Sequence, residues 1–436
     1  MNSNTFILVI AAVLFVIAPV RAESTGGMTL NDCLVYARDH AYDNRLNRLA
    51  EADAAARRRI AAAGLMPYVG LSASGNLSFG RNIDPETNMY DNNKTVATAF
   101  GLNMSLPLYD GLVNINNLKA ARSAAMRQAE KTRADEDAIS MEVIRAFYNV
   151  GYCRTLVRQM EEQLRRDETD LSSTLRGEQL GTKSGADVAE MRAVVAADEY
   201  ELSNQRNLLA KAFLDLRGLM GMPLSDEPLD LVEEEYESGA AMEANPRVAE
   251  ARLAVKEGEY ELRAAKGAYS PTISLSGSVT TSYFKMMGGG QQAAAPFGRQ
   301  WRDNMGQYIG VSFTLPLFDG LATPARVKRA RIELDTRKIR LEQTSYEVEK
   351  LTRSAMLDLC AARDELTAAT RRLDAEEAAY KATRRKYELG SASAIDLYTS
   401  GARLATARAN LEGKRIQLKI SEITADYYMG RKLIKD

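Results

Sequence analysis

The sequence predicts an α+β membrane protein of two tandem structural repeats, with four strands per chain contributed to a shared transmembrane β-barrel and long coiled-coil helical hairpins. Three observations predict it. A six-residue motif recurs at a fixed displacement, two long proline-free spans carry sustained heptads, and four short segments alternate apolar with small polar residues.

In chain order, residues 1–22 read as a signal peptide: an apolar run from Phe6 to Val20 precedes Val20-Arg21-Ala22, whose small residues suit a signal peptidase. No Cys follows the cleavage point, so a lipoprotein anchor is not expected, and the mature chain begins near Glu23. Beyond it no run approaches the roughly 18 apolar residues of a membrane-crossing helix. A chain of this kind crosses a membrane with strands.

A tandem repeat organises the mature chain. Leu106-Pro-Leu-Tyr-Asp-Gly111 is answered by Leu315-Pro-Leu-Phe-Asp-Gly320, displaced by 209 residues. The same displacement carries Gly181 to Gly390, Ser184 to Ser393 and Asp187 to Asp396, while Pro67 answers Pro271 at 204. Residues 23–222 form the first repeat, 223–245 a linker and 246–436 the second repeat.

Each repeat ends in a helical hairpin, expected over about 113–220 and about 325–430. All eleven prolines lie outside 108–222 and 325–436, and proline breaks helix interiors. Val143, Val150, Val157, Leu164 and Leu171 recur every seven residues, as do Leu359, Leu366, Leu373, Tyr380 and Tyr387. Such a seam packs helices side by side in a left-handed supercoil. A helix from Asn114 to Leu180 would span roughly 100 Å at 1.5 Å per residue, far more than a globular core needs. Gly181, Gly185 and Gly390 mark the turns.

The strands are expected over about 67–79, 97–108, 272–284 and 307–318. Val69, Leu71, Ala73, Leu77 and Phe79 alternate with Ser72, Ser74, Asn76 and Ser78; Phe100, Leu102, Met104 and Leu106 alternate with Gly101, Asn103 and Ser105. The second copy does the same with Ile273, Leu275 and Val279, and then with Ile309, Val311, Phe313 and Leu315. About ten residues with one apolar and one small polar face suit a lipid-facing, water-lined barrel; a soluble sheet with one buried face is the other reading. Polar loops over 80–95 and 285–304 would face the exterior, with Trp301, Tyr308, Tyr283 and Phe284 in an interfacial aromatic girdle.

Open strand edges do not persist in lipid, and four strands are fewer than the eight or so of the smallest barrels. Several chains must therefore share one barrel. The net charge of −1 offers no basic patch for nucleic acid. His40 stands alone, and Cys33, Cys153 and Cys360 are scattered in helical patterns as small buried hydrophobes, so neither a metal site nor a cofactor is expected. No catalytic constellation is found, and the chain is not read as an enzyme.

The paired repeats, each strand–loop–strand followed by Leu-Pro-Leu-aromatic-Asp-Gly and a long helical hairpin, together with Tyr387-Glu-Leu-Gly-x5-Asp396, resemble the TolC family of outer-membrane efflux proteins across the mature chain. The resemblance implies a homotrimer whose twelve strands form one outer-membrane barrel and whose twelve helices form a periplasmic α-barrel. It implies a passive exit duct of an efflux or type I secretion system, driven by an inner-membrane transporter through a periplasmic adaptor protein. A structural coiled-coil or adaptor protein of the cell envelope is the alternative, but neither accounts for four duplicated amphipathic strands.

The tips read Gly181-Thr182-Lys183-Ser184 and Gly390-Ser391-Ala392-Ser393, each leading into an aspartate, and by resemblance they dock the adaptor. Ser184 with Asp187, and Ser393 with Asp396, each fit a capping box. By resemblance Asp396 matches a gate aspartate and Tyr387 a tyrosine of the closing network. Asp187 holds the matching place in the first copy, with Glu190 one turn beyond, so three chains would form a ring of negative charge at the pore constriction. Ala392 stands where the family carries a latch arginine, and Thr399 where it carries a second gate aspartate.

Overall fold

The computed structural model describes residues 27–83, 90–225, 227–232, 236–237, 239, 241, 244–287 and 295–434. The expected signal segment and the middles of the two exterior loops lie outside them. In chain order the elements are α1 (Leu30–His40), α2 (Tyr42–Ala63), β1 (Tyr68–Ile83), β2 (Tyr90–Tyr109), α3 (Val113–Gln179) and α4 (Gly185–Met220). The second repeat continues with α5 (Pro246–Gly267), β3 (Thr272–Met287), α6 (Phe297–Asp303), β4 (Gly306–Thr314), α7 (Ala322–Glu388) and α8 (Ala394–Tyr428).

The strands form one antiparallel sheet in the order β1-β2-β3-β4. Directly opposed residues share a face, and the register joins Leu71 to Leu102, Leu102 to Val279, and Leu275 to Val311. One apolar face thus runs unbroken across four strands. Its opposite carries Ser72, Asn103, Ser274 and Ser312, tied by Asn103 Nδ2 donating to Ser72 Oγ at 3.2 Å and by a Ser274–Ser312 hydroxyl bond of 2.9 Å. A soluble sheet would bury the apolar face, yet Leu71 is 81 % and Ile309 83 % exposed. Among the described residues no helix is long and apolar enough to cross a membrane.

The hairpin β1–β2 runs past the apolar stretch, from Tyr68 opposite Ser105 to Ile83 opposite Tyr90, because backbone pairing continues where the side chains turn polar. At the same end β3 outruns β4, and α6 covers the open edge. Gln300 accepts from Phe284 N at 2.9 Å and donates to Phe284 O at 3.0 Å, and Asn304 Nδ2 donates to Ser282 O at 2.8 Å. The amide side chains thus replace the missing strand. Trp301 and Phe297 pack with Phe100 and Tyr283 on the apolar face. Tyr308 and Phe284 do not join this girdle: they pair with Ser278 and Ala97, whose side chains lie on the polar face.

The duplicated motif is the joint between strand and helix. Gly111 and Leu112 have φ of 68° and 63°, and Gly320 and Leu321 both have φ of 67°, so two successive left-handed residues turn the chain. The motif aspartate then caps the new helix: Asp110 accepts from Asn114 N at 2.8 Å and Asp319 from Thr323 N at 2.8 Å. Gly111 has a second reason to lack a side chain, since a Cβ there would lie 2.2 Å from Gly267 O. Pro324 falls in the first turn of α7, where its missing N–H costs no bond.

Helices α3 and α7 are each 67 residues long, roughly 100 Å. Each pairs with its own return helix, α5 lies between α3 and α7, and α2 packs on α3. The helices α1, α2 and α5 stand ahead of the strands where no helix was expected. The core lies midway along the hairpins, where Leu34, Val143, Ile144, Leu216, Met220 and Leu433 are fully buried. The linker is strapped to it: Arg154 donates to Leu231 O at 3.0 Å, Arg217 to Glu227 O at 2.6 Å, and Tyr236 Oη to Leu433 O at 2.6 Å. Cys33 and Cys153 are buried, but Cys360 is exposed on α7, contrary to its reading as a small buried hydrophobe.

Candidate functional site

Both hairpins end in the same turn. Gly181 and Gly390 adopt φ of 72° and 73° just past α3 and α7. In each, the next residue reaches back to satisfy a free helix carbonyl: Thr182 N donates to Gly177 O at 2.8 Å and Ser391 N to Lys386 O at 2.7 Å. Thr182 Oγ1 adds a bond to Gly177 O at 3.0 Å.

The returning helices open with full capping boxes. Asp187 N donates to Ser184 Oγ at 3.2 Å, while Asp187 Oδ2 accepts from Ser184 N at 2.8 Å. Asp396 N donates to Ser393 Oγ at 3.1 Å, while Asp396 Oδ2 accepts from Ser393 N at 3.0 Å. Bonds from the Ser184 backbone and hydroxyl hold Asp187 below the ordinary carboxylate range, and those from Ser393 do the same for Asp396. Both stay ionised at neutral pH.

Asp396 is exposed; Asp187 and Glu190 are partly so. Among the described residues no bond joins Asp187 or Glu190 to Asp396, so one chain alone does not assemble an acidic ring. Thr399 spends its hydroxyl on Ile395 O at 2.7 Å.

The structure does bring the two tips together at Tyr387. Its hydroxyl shares a 3.3 Å hydrogen bond with Thr174 of α3, and Lys183 Nζ stands 4.2 Å from its ring centroid. Lys183 belongs to the first tip and Tyr387 to the last turn of α7, so the contacts run from hairpin to hairpin.

Farther from the tips lies a cluster that the sequence reading missed. Asp167 and Asp198 face each other between α3 and α4, both 8 % exposed. Gln163 Nε2 donates to Asp167 Oδ2 at 2.6 Å. Burial, followed by the bond and charge of Asp198, pushes Asp167 up to about 7. Beside them a cavity of about 550 Å³ separates the hairpins, lined by Gln163, Arg166, Tyr380, Arg384 and Gly401 among others. Among the described residues no group of three His, Cys, Asp or Glu is placed to hold a metal.

A profile of the family described as "Outer membrane efflux protein" matches residues 43–222 and again 238–431. The chain belongs to that family. Its relatives include the outer membrane efflux protein BepC of Brucella suis biovar 1 (strain 1330), 23 % identical over 381 residues, covering 86 % of this chain and 80 % of BepC. The outer membrane protein TolC of Escherichia coli (strain K12) is 24 % identical over 380 residues, covering 84 % and 75 % of the two chains. Among solved structures, CusC superposes with a TM-score of 0.79 at 19 % identity, covering 92 % of both chains. VceC of Vibrio cholerae superposes with a TM-score of 0.79 at 15 % identity, covering 93 % of this chain and 96 % of its own. As a member of the efflux-protein family the chain is an outer-membrane channel subunit, with its sheet in the outer membrane and its long helices in the periplasm.

Proposed function

We propose that three copies of this chain close one barrel and one helical tunnel, forming a passive exit duct of a tripartite efflux or type I secretion system. The observation that carries the reading is the four-stranded sheet with an unbroken apolar face, covered by its own chain only where Phe297 and Trp301 of α6 pack at one end, and two outer edges, β1 and β4. Unpaired edges in lipid cost several kcal/mol per group, so further strands must come from further chains. A structural coiled coil or an adaptor has no use for such a sheet.

In this reading an inner-membrane transporter supplies the energy, and a periplasmic adaptor docks at Gly181–Ser184 and Gly390–Ser393, the points farthest from the sheet. Threefold repetition brings Asp396, with Asp187 and Glu190, around the axis as the constriction, where a ring of carboxylates favours cations. Tyr387 holds the hairpins closed through Thr174 and Lys183.

Purified full-length protein in a planar bilayer tests both levels. A trimer-sized species with cation-preferring conductance is expected, and Asp396→Asn should weaken the preference while leaving the trimer intact. A folded, detergent-free monomer without conductance would refute the duct. Unchanged ion preference in Asp396→Asn with Asp187→Asn would refute the ring.

A further inference from the structure

We infer that the lipid-facing side of the sheet carries, at its outer end, a binding site for the head group of an outer-leaflet lipid that bears two phosphates. The inference stands on the place of the sheet in the outer membrane and not on how copies of the chain assemble.

The four strands hold three cations, Arg81, Lys94 and Lys285, and all three converge. Lys285 stands opposite Val96, and Lys94, two residues farther out on β2, stands opposite Phe79. Arg81 follows two residues beyond Phe79 on β1. Positions two apart along a strand share a face, so the cations follow one diagonal across β3, β2 and β1, on the side that carries Val279, Leu102 and Leu71. Two contacts agree with this face. Lys94 Nζ lies 5.6 Å from the centroid of the Phe79 ring, and Arg81 Cζ lies 5.0 Å from that of Tyr90, which shares the alternation of Lys94 along β2. All three cations are exposed. The remaining charged residue of the strands, Asp91, pairs with Asn82, on the other alternation.

Their depth follows from the aromatic residues. Lys285 lies two residues, roughly 7 Å, beyond Tyr283, which packs with Phe297; Trp301 joins Phe297 to Phe100. Such rings mark the boundary between acyl chains and head groups, so the cations stand at head-group level. The long helices leave the strands at the opposite end, which makes the leaflet the outer one.

Like charges on adjoining strands repel. Among the described residues no carboxylate forms an ion pair with any of the three, whereas Arg299 of the adjoining α6 is matched by Asp303 at 3.5 Å. Protection of an open sheet edge does not explain the cluster, because Lys94 and Lys285 stand on the inner strands β2 and β3. The balancing anion must come from outside the chain, and lipid phosphate is the anion present at this depth. Neighbouring cations are roughly 8 Å apart along the diagonal and the end pair roughly 16 Å. A single phosphate between Lys94 and one neighbour leaves the third cation unmatched. A head group with two phosphates matches all three, with the guanidinium fork of Arg81 suited to one of them.

Native mass spectrometry of the purified full-length protein in detergent, with diphosphoryl lipid A as the probe, tests the site. Arg81→Gln, Lys94→Gln and Lys285→Gln should each weaken binding about fivefold, and the three together on the order of a hundredfold. Lys94→Arg should bind as the parent does, and so should Lys350→Gln on α7, far from the sheet. Monophosphoryl lipid A should bind the parent more weakly, and millimolar inorganic phosphate should leave bound diphosphoryl lipid A in place. Equal retention of diphosphoryl lipid A by the parent and the triple variant would overturn the inference. So would equal binding of the monophosphoryl form, or displacement by inorganic phosphate, which would make the patch a site for free anions. The duct reading survives each of these outcomes, since none of them concerns conductance.

Discussion

Lys183 reaches from the turn of the first hairpin to lie over the ring of Tyr387 on the second, 4.2 Å from its centroid. Ala392 stands where the family resemblance places a latch arginine, and in this chain a cation reaches the tyrosine from the other hairpin. A cation–π contact at such a site is worth about 0.5–1 kcal/mol. Lys183→Gln should therefore raise resting conductance in a planar bilayer, and Lys183→Arg should restore the parent value. Equal conductance in all three would assign the closing contact elsewhere.

The Asp167–Asp198 pair predicts a pH dependence. Asp167 folded lies at about 7, above its value in an unfolded chain, so the folded state binds the proton more tightly. Stability is unaffected below pH 4, falls as pH rises from about 4 to about 7, and is level above; each unit of displacement is worth about 1.4 kcal/mol. Arg166 opposes the shift, and Asp170 and Arg384 stand near the pair. Asp198→Asn can donate to the Asp167 carboxylate without sharing a proton. Its gain in melting temperature over the parent should be larger at pH 8 than at pH 5, and a gain independent of pH would argue against proton sharing.

Ser393→Ala separates capping from charge at the second tip. It removes the hydroxyl bond to Asp396 N, 3.1 Å, which should cost the local helix about 1 kcal/mol, but leaves the carboxylate in place. Amide exchange in the first turn of α8 should quicken while ion preference stays. Loss of ion preference in this variant would mean that geometry, rather than charge alone, sets the constriction.

Gly111→Ala would drive its Cβ to 2.2 Å from Gly267 O. Overpacking and the left-handed backbone together should cost about 3 kcal/mol, read as a lower denaturation midpoint. Gly320→Ala, with nothing within 4 Å of the added Cβ, carries only the backbone cost, so its midpoint should fall less than that of Gly111→Ala.

The long helices and the strands were legible because their periods of seven and two are sustained, and the tip turns because Gly, Ser and Asp sit at positions that demand them. Helix α5 was announced by Asn245, whose side chain accepts from Arg247 N at 3.1 Å, and by Pro246 at its first position. Helix α2 has no such cap. The contact of Thr174 with Tyr387 spans 213 residues of chain, which no local pattern encodes. Asp167 and Thr174 did lie in a column of seven with Cys153 and Met160, and Asp198 in another with Met191, Gln205 and Ala212. Polar members inside an otherwise buried column were the available signal. Tyr308 and Phe284 misled because alternation reveals which residues share a face only when the parity of the whole strand is followed.

The equal length of α3 and α7, 67 residues each between the same strand joint and the same turn, constrains how such a protein can change over generations. A single inserted residue rotates everything beyond it by about 100° and spoils one seam. An insertion of seven restores the seam but leaves one tip about 10 Å below its twin. Longer or shorter relatives must therefore arise by matched steps in four helical arms, so the reach of the duct is inherited as a coupled trait rather than one that drifts residue by residue.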